Sequence, residues 1–483
     1  MKNRFGRRSF LKHAALATGA LSAQQIFPSP SILHAANLGD KVRCVIVGCG
    51  GRGGSHLSAT AGEHLVALVD VVDKNLAAFK KTISVTSRNG TNVETFTDYR
   101  RMFDKLHKQI DAVFVATPNH HHALPSMIAM QLGKSVYCEK PLCHDIAEAR
   151  KLREMSHKYK VATQMGNQGH CDEGYRRLCE FIWGGVIGKI TETHCWCDRS
   201  NGGIGPRPPI EPVPAGMHWD EWIGPAPYRD FHSDLHPHEW HGWYDFGNGS
   251  LGNLACHVMD GMYWSLKIDH PESVELEAVT GGTDERCPVG TRIRWDCPAR
   301  GDMPPVKVYW YDGYQDGEKP AGQQAEHGVS KAKKKKSKEG KRVHYLPPLL
   351  AELQAKYPDE RFESNATLYV GEKGILYTGC YGGNMHLLPK AKMKEIAQPP
   401  KTLPRPKQVF EDFLSAVREG RTDTAASFEY GAQLTEFTLL GNLAQHAGKG
   451  NKVEWNGAEM KVTNLPELNR FVTREYRKGW KID

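Results

Sequence analysis

The sequence contains no apolar run long enough to cross a membrane. Of its 483 residues, 40% are hydrophobic and 24% are charged, a balance typical of globular proteins. The apolar stretch from Ala14 to Ala23 is far shorter than the ~20 residues that a spanning helix needs. The composition therefore argues against a membrane-spanning protein, and the length favours two domains.

Acidic residues are absent from the first twelve positions, which carry five cations. The stretch NRFGRRSFLKHAALATGALSA combines the twin arginines Arg7 and Arg8 with a short apolar run, an order that resembles a twin-arginine export signal. We therefore predict a signal peptide over residues 1–36, with cleavage near Ala35 and Ala36. Recognition by the twin-arginine export machinery and a periplasmic location follow from it.

The net positive charge of the chain comes from two segments. The net charge is +8, of which five charges lie in residues 1–12 and a net seven lie in KAKKKKSKEGKR, residues 331–342. The rest of the chain therefore carries a net charge of −4, which argues against nucleic-acid binding by the body of the protein. We interpret residues 331–342 as a solvated Lys-rich loop, with a docking patch for an acidic polymer or an anionic membrane as the alternative.

A cysteine spacing typical of a disulfide framework is also absent. The twelve cysteines are scattered: Cys44 falls in an apolar run, while Cys195 and Cys197 flank a tryptophan in a strand-like segment. Proteins that use the twin-arginine route fold in the reducing cytosol, so disulfides cannot be required for folding. We predict mostly free, buried thiols, and strand neighbours rather than a redox or zinc pair at Cys195 and Cys197.

A glycine-rich turn follows the first β-rich run of the chain. The segment KVRCVIVGCGGRGG matches G-x-G-x-x-G at Gly48, Gly50 and Gly53, where a tight turn, close approach to a pyrophosphate and close helix packing are needed. The next apolar run, HLVALVDVVD, ends at Asp70, where a carboxylate can accept hydrogen bonds from a ribose and repel a 2′-phosphate. The pattern predicts NAD rather than NADP, with Asp73 as the competing carboxylate.

The following residues continue as a doubly wound α/β unit. The run DAVFVAT leads into Thr117, Pro118 and Asn119, and the run SVYCE leads into Lys140 and Pro141. Polar groups at the carboxyl ends of parallel strands face the ligand crevice of such a sheet. The three histidines at 120–122 point in different directions on one turn, so we predict a helix start or a cofactor contact there rather than a metal site.

The second part of the chain changes pattern after residue 165. Strand-like runs occur at 190–198, 272–280, 291–297, 306–311, 366–370 and 374–378, which predicts a second, largely antiparallel domain. Amphipathic helices are predicted at 404–419 and 427–446. We therefore predict an NAD-binding domain at residues 40–165 and a C-terminal substrate and oligomerisation domain at 166–483, with the helices of 404–447 packing back on the first domain.

The glycine turn, Thr-Pro-Asn and Glu-Lys-Pro, in this order and spacing, resemble the glucose–fructose oxidoreductase/inositol dehydrogenase (Gfo/Idh/MocA) family over nearly the whole mature chain. WIGPAP at 222–227, GNLACHVMD at 252–260 and YRKGW at 476–480 resemble its exported bacterial branch. The resemblance implies an α/β Rossmann domain with a doubly wound parallel sheet. It also implies an α+β C-terminal domain with a large, open, mainly antiparallel sheet, through which a homo-oligomer is expected.

The resemblance also implies the chemical roles. Lys140 lies between the nicotinamide and the substrate, and His257 matches the histidine of the family's Asp-x-x-x-His pair on a helix. The aspartate position is occupied by Asn253, which can bond a hydroxyl but cannot accept a proton, so Asp260 is an alternative source of a carboxylate. Glu139 is expected to hold Lys140 in position.

Together these patterns predict a set of site residues. The predicted catalytic residues are Lys140 and His257. The predicted cofactor contacts are Gly48, Gly50, Arg52, Gly53, Asp70, Thr117, Pro118, Asn119, His122, Glu139, Lys140 and Gln164. The predicted substrate contacts are Asn253, Asp260, His241 and Trp243, and no metal ligand is assigned.

A dense group of histidines and aromatics lies in DFHSDLHPHEWHGWYDFGNG. It contains His232, His236, His238 and His241 beside Trp243, one of several flat side chains on which sugar rings stack. Three imidazoles could also hold zinc. We favour the sugar-lined pocket and keep the metal site as the alternative.

The expected function is that of an exported oxidoreductase that oxidises or reduces a hydroxyl of a sugar, a glycoside or a polyol with tightly bound NAD. Because no NAD pool exists outside the cytoplasm, the cofactor would have to be regenerated in place. A redox-neutral cleavage of glycosides through a keto intermediate is therefore an alternative. A non-catalytic sugar-binding protein is the second alternative, favoured by Asn253.

Overall fold

The structure, a computed structural model, describes residues 41–86, 92–316 and 343–481. The predicted signal peptide at residues 1–36 and the Lys-rich segment at 331–342 lie outside the described residues. None of the helices in these described ranges is long and apolar enough to cross a membrane.

The first domain alternates strands and helices. Within the described residues its elements are β1 (Arg43–Val47), α1 (Gly53–Ala59), β2 (His64–Val69), α2 (Asp73–Val85), β3 (Glu94–Phe96), α3 (Tyr99–Leu106), β4 (Ala112–Val115), α4 (Ala123–Gln131), β5 (Ser135–Glu139), α5 (Ile146–Tyr159) and β6 (Thr163–Gly166). Apart from the edge strand β3, the strands are short and almost entirely buried, as expected for a parallel sheet covered on both faces.

All six strands of this domain pair in parallel, in the order β3–β2–β1–β4–β5–β6. This is the order of a doubly wound Rossmann sheet, so the predicted fold of the first domain is confirmed. The order reverses between β1 and β4, and ligands of such sheets bind outside the carboxyl ends of the strands at this switch point.

The second domain is built around a larger sheet. Its described elements are α6 (Glu173–Trp183), β7 (Ile190–Cys197), α7 (Trp219–Ile223), α8 (Cys256–Val258), α9 (Asp260–Ser265), β8 (Ser273–Thr280), β9 (Gly290–Cys297), β10 (Val306–Gly313), α10 (Pro348–Lys356), β11 (Asn365–Gly371), β12 (Gly374–Gly379), β13 (His386–Leu388), α11 (Val409–Glu419), α12 (Phe428–Ala447), β14 (Lys452–Asn456) and β15 (Lys461–Val462).

The nine strands of this sheet follow the order β13–β12–β11–β7–β10–β9–β8–β14–β15. Only the β7–β10 pair in the described sheet is parallel, and the other pairs are antiparallel. The predicted mainly antiparallel sheet is therefore confirmed. The sequence analysis did not predict β13, β14 or β15, which are short and lie at the sheet's two ends.

Helices α11 and α12 connect the two domains. Phe413 of α11 is fully buried in the same apolar cluster as residues of β1 and β4. Helix α12 packs against α5 of the first domain and against β8 and β14 of the second, and Arg150 pairs with Glu436 across this contact at 2.7 Å. The first domain, with Lys140, and the second domain, with His257, are thereby packed against each other through shared helices.

The cysteines form no disulfide. All twelve lie in the described ranges and are free, and only Cys380 among them is partly exposed. The prediction of mostly free, buried thiols is confirmed.

Candidate active site

Five polar or glycine positions lie where strands of the parallel sheet end. Gly48, Asp70, Thr117, Lys140 and Asn167 follow β1, β2, β4, β5 and β6 within one or two residues. Because the strands are parallel, these residues share one edge of the sheet. The sequence analysis predicted four of them and missed Asn167, although the same strand-end rule would have found it.

The glycine turn has the geometry that its sequence predicts. Gly48 has φ +97°, and a Cβ on it would lie 2.6 Å from the Ala116 carbonyl oxygen at the end of β4. A Cβ on Gly53 would lie 2.1 Å from the Gly48 carbonyl oxygen, so only glycine lets α1 pack this closely on the turn. A Cβ on Gly51 would meet no atom within 4 Å, which leaves space beside the turn for a ligand.

Asp70 is directed at this turn and Asp73 is not. The Asp70 carboxylate accepts hydrogen bonds from the Cys49 amide at 2.6 Å, the Val72 amide at 2.8 Å and the Asn75 side chain at 3.1 Å. Burial raises the pKa of Asp70, against the opposing effect of these donors. Asp73 instead pairs with His218 at 3.0 Å on the surface, so Asp70 is the better placed ribose acceptor.

We expect Asp70→Asn and Asp70→Ala to weaken NAD binding by about one to two orders of magnitude, because a hydrogen bond to a charged group contributes about 1.5–3 kcal/mol. NADP should be affected less, since a repulsive charge disappears as well. The measurement is the NAD-to-NADP ratio released from the purified protein by denaturation. Asp73→Asn is the matched control and should leave the ratio unchanged. If only Asp73→Asn changed the NAD-to-NADP ratio, Asp73 and not Asp70 would be the ribose acceptor.

His122 contacts the backbone of the Thr-Pro-Asn turn and stabilises it. This imidazole is 1% exposed, and its ring nitrogens lie 2.7 Å from the carbonyl oxygens of Thr117 and Pro141. His122 therefore joins the loops after β4 and β5 instead of facing a ligand, which corrects its assignment as a cofactor contact. Asn119 bonds Asn248 at 3.0 Å. The buried Thr117 hydroxyl has no hydrogen-bond partner among the described residues.

Glu139 does not hold Lys140, contrary to the expectation. Its carboxylate, which is almost fully buried, accepts from Arg52 Nε at 2.9 Å and contacts His56 Nε2 at 3.0 Å. Burial would raise the pKa of Glu139, but His56 and Arg52 outweigh it and lower the pKa. Arg52 belongs to the glycine turn, so Glu139 ties that turn to the end of β5.

Lys140 instead reaches across to the second domain. Its Nζ donates to the Asn253 carbonyl oxygen at 2.5 Å and to Asn253 Oδ1 at 3.0 Å. The Asn253 amide in turn donates to Asn201 Oδ1 at 3.1 Å. Burial, opposed chiefly by neighbouring Cys256 and Glu139, lowers the pKa of Lys140 to about 8.

The segment that carries Asn253 and His257 is helical with a local change of pitch. Residues Leu251–Ala255 form a π-helical turn that continues into α8, and such turns recur at functional sites. His257 Nδ1 lies 2.8 Å from Asn167 Oδ1. Burial, followed by the charges of Lys140 and two arginines, lowers the pKa of His257 well below 6.5, so the imidazole is neutral at physiological pH.

Tyr381 lies against His257 and was not predicted. The two rings meet edge to face at 5.2 Å, and Tyr381 has φ +61°, a strained value for a residue with a side chain. Its amide donates to the Tyr175 hydroxyl at 3.0 Å, which helps to hold this conformation. No pattern in the surrounding sequence GCYGGN indicates the contact.

Two predicted ligand contacts are buried inside the protein. Asp260 is 0% exposed and bonds Asn167 Nδ2 and His170 Nδ1, each at 2.9 Å. Gln164 is also 0% exposed, and its side chain accepts from the Ala426 amide at 3.2 Å. Neither side chain is accessible to a sugar or a cofactor in this arrangement, so both assignments are corrected. Each side chain is turned inward by packing against a distant part of the chain.

Trp243 is likewise no stacking surface for a sugar. Its indole is 1% exposed, and the guanidinium groups of Arg229 and Arg286 lie over the ring at 4.9 and 4.5 Å. His241 is half-buried and stacks on Trp240 at 3.6 Å. Burial and then His238 lower the pKa of His241, and the charge of Lys140 contributes.

The neighbouring histidines are distributed over different contacts. His232 packs on Trp243 at 5.2 Å, and His236 packs edge-on against Trp222 at 6.3 Å. Across residues 41–86, 92–316 and 343–481, no three His, Cys, Asp or Glu side chains are arranged to hold a metal ion.

Two family models match consecutive parts of the chain. Residues 42–167 match the NAD-binding Rossmann fold of the Gfo/Idh/MocA oxidoreductase family, and residues 201–295 match its C-terminal alpha/beta domain. The chain belongs to the Gfo/Idh/MocA oxidoreductase family. The residues that match the family's NAD-binding domain include Gly48, Asp70 and Lys140, which lie at the strand ends of the first domain.

Similar proteins of this family include an inositol 2-dehydrogenase from Salmonella paratyphi B. It is 28% identical over 154 residues, which cover 31% of this chain and 44% of that protein. The chain thus spans less than half the length of the curated relatives that it matches.

Solved structures extend the similarity of the fold. The WlbA dehydrogenase from Bordetella pertussis, in complex with NADH and UDP-GlcNAcA, has a TM-score of 0.54 at 16% identity and covers 86% of this chain and 99% of its own. Myo-inositol dehydrogenase from Lactobacillus casei, in complex with NAD(H) and myo-inositol, has a TM-score of 0.50 at 15% identity, with 89% and 99% covered.

Proposed function

We propose that this protein is an NAD-dependent oxidoreductase that acts on a hydroxyl of a sugar, a glycoside or a polyol. One observation carries the proposal: Lys140, at the edge where the first domain binds its cofactor, bonds Asn253 of the segment that presents His257 four residues later. The cation thereby contacts the same helical segment that carries the neutral base, beside the cofactor edge. The relatives named for inositol and sugar-nucleotide substrates support a polyol-like substrate class.

The residues present fit NAD. The turn that contains Gly48, Gly50 and Gly53 is open at Gly51, where a pyrophosphate could approach its backbone, and the Asp70 carboxylate bonds the Cys49 amide of the same turn. The Thr117 hydroxyl, buried and without a partner in the described residues, is a free polar group at the same edge. Arg52, held by Glu139, adds positive charge near the turn.

The chemistry divides between cofactor and protein. When bound, NAD supplies a nicotinamide ring that accepts the hydride of the carbinol carbon. His257 Nε2 takes the proton of the hydroxyl, so a carbonyl group forms and charge is balanced. Lys140 stabilises the negative charge that develops on the same oxygen, and the amide of Asn253 fixes a neighbouring hydroxyl.

The direct test is to mix the purified, NAD-loaded protein with a panel of polyols, sugars and glycosides and to follow NADH absorbance in a single turnover. Bound NADH together with a keto product supports the proposal. Free sugar plus aglycone without net NADH would indicate redox-neutral cleavage instead. Saturable binding of a sugar without either product would support a non-catalytic binding protein.

The pH dependence of the single-turnover rate should reflect two groups, Lys140, which must be protonated, and His257, which must be deprotonated. The active form needs Lys140 charged, with a pKa of about 8, and His257 neutral, with a pKa well below 6.5. The single-turnover rate should therefore be level between about pH 6.5 and pH 7, reach half of that value near pH 8 and continue to fall at higher pH. Lys140→Arg keeps its charge at alkaline pH and should lose this fall, whatever its absolute rate. A rate that rises through pH 8 would make Lys140 the base.

We further propose export through the twin-arginine route with NAD already bound, on the strength of Arg7 and Arg8. Replacing both with lysine keeps the charge but changes the motif, and the folded precursor should then remain in the cytoplasm. The measurement is fractionation of cells followed by immunoblotting, with Lys2→Arg and Lys12→Arg as a charge-matched control that exports normally. Normal delivery of the double-lysine variant to the periplasm would contradict the proposal.

A further inference from the structure

A continuous set of hydrogen bonds connects His257 to a buried carboxylate. His257 Nδ1 lies 2.8 Å from Asn167 Oδ1, and Asn167 Nδ2 lies 2.9 Å from Asp260 Oδ2. Asn167 and Asp260 are both 0% exposed, and His257 is 8% exposed. The amide of Asn167 is thus inserted between the imidazole and the carboxylate.

The orientation of this amide is determined by its partners. Its nitrogen faces two acceptors, the Asp260 carboxylate and the Cys256 carbonyl oxygen at 3.0 Å. Its oxygen must therefore face His257 and can only accept. A neutral imidazole that donates from Nδ1 carries its lone pair on Nε2, which defines the tautomer.

Asp260 is itself held from the other side. His170 contacts its Oδ1 at 2.9 Å, and the Tyr430 hydroxyl donates to the same oxygen. The His170 ring is packed against Trp264 and Tyr430, each with centroids 4.2 Å away. With these contacts on both oxygens, the carboxylate has little freedom to turn away from Asn167.

This arrangement matters because position 253 offers no carboxylate. Asn253 uses its oxygen for Lys140 and its nitrogen for Asn201, so it supplies neither a negative charge nor a tautomer constraint to His257. The charged groups that act on His257 directly are the cations Lys140, Arg52 and Arg199, and the Tyr381 ring lies against it. Asp260, through Asn167, is the carboxylate connected to His257 by hydrogen bonds among the described residues.

We infer that Asn167 and Asp260 are positioning residues that hold His257 as the Nδ1–H tautomer and so present Nε2 as the base. The inference rests on the proposed function for its consequence in catalysis, but the tautomer itself is a property of the protein alone. An amide cannot pass a proton by acid–base exchange as a carboxylate can, so this pair orients the base without accepting its proton.

The first test is the ¹⁵N spectrum of the histidine side chains in the full-length, NAD-loaded protein, with the His257 signal assigned by its loss in His257→Gln. We expect a protonated Nδ1 and an unprotonated Nε2 in the unmodified protein. A protonated Nε2 there would overturn the inference, and this measurement needs no variant of Asn167.

The second test replaces Asn167 with leucine, which has a similar size and no polar group. The His257 tautomer should become mixed or reversed, and the single-turnover rate should fall about tenfold to a hundredfold, the range seen when a group that orients an imidazole is removed. Asp260→Asn should act in the same direction, because the Asn167 amide can then turn over and offer its nitrogen to His257. Affinity for NAD should not change.

Asn442→Leu is the matched control. Its amide is also buried, on helix α12, where it donates to Gln445 Oε1 at 2.8 Å and to the Asn248 carbonyl oxygen at 3.4 Å, and it has no bond to His257 among the described contacts. It should leave both tautomer and rate unchanged. An Nδ1–H tautomer that persists in Asn167→Leu and Asp260→Asn would overturn the inference. Absence of NADH formation in the unmodified protein would instead contradict the proposed function, while the spectrum would still decide the tautomer.

Discussion

Lys140→Ala should slow hydride transfer by roughly two to four orders of magnitude, the usual range for a positioned acid–base group. The Lys140 ammonium bonds both oxygens of Asn253, at the edge where the strand ends of the parallel sheet meet. No other lysine in the described chain is bonded to this segment in its place. The measurement is the single-turnover rate of NADH formation in the NAD-loaded protein.

The fold should survive this substitution. Burial lowers the pKa of Lys140 to about 8, which means that folding disfavours the charged form relative to water. Below pH 8 both the folded and the unfolded chain carry the charge, so this cost is fully present at neutral pH. Lys140→Met, which keeps the length of the side chain, should therefore melt at or above the temperature of the unmodified protein and be equally slow. A slow Lys140→Ala variant beside a fast Lys140→Met variant would indicate a packing defect and not lost chemistry.

His257→Ala should slow hydride transfer by a similar factor, because it removes the neutral imidazole carried by the segment that Lys140 contacts. Alanine also opens a space beside Tyr381, so His257→Gln is the better comparison. Glutamine can still donate to Asn167 Oδ1 and fill the site, but it cannot take a proton. Both variants should form NADH equally slowly while releasing the same amount of NAD on denaturation.

Asn253→Asp is the informative opposite change. It restores the carboxylate that the family's helical pair carries, and it should preserve or raise the rate, since Lys140 already points at this side chain. The neighbouring Asn201 must turn its amide so that its nitrogen faces the new carboxylate. If Lys140→Ala and His257→Ala both form NADH as fast as the unmodified protein, the site is misplaced. The histidines at 232–241 would then be the better candidate.

Local patterns in the sequence were sufficient where the cause of the structure is local. The turn at Gly48 needs a positive φ, which glycine permits. The strands at 273–280 and 290–297 alternate apolar and polar residues along the sequence, which is the pattern of a strand with one buried face. Helix α11 was predicted to begin at 404 but begins at Val409. Pro404 and Pro406 lie before it, and a proline disfavours helical geometry in the residue that precedes it.

The short strands were missed for the opposite reason. Strands β13, β14 and β15 have two to five residues each, too few for a period to be read. Strand β13 pairs with β12, β14 pairs with β8, and β15 pairs with β14, so the extended backbone of each depends on the position of the rest of the sheet. A strand at the edge of a sheet is therefore determined by tertiary contacts, although it is assigned as secondary structure.

The sequence by itself determined the parallel sheet, its glycine turn and Asp70 at the end of β2, because strand periodicity and strand-end chemistry are written in neighbouring residues. The roles predicted for Lys140 and His257 came from the resemblance of their motifs to the family. Only the tertiary structure decided which partner each side chain has. The Glu139 carboxylate contacts Arg52 and His56. Arginine side chains cover the Trp243 ring, and the buried Asp260 carboxylate bonds Asn167. These outcomes depend on contacts between residues 14 to 93 positions apart in the sequence, and the burial of a side chain is determined by the surface that folding packs against it.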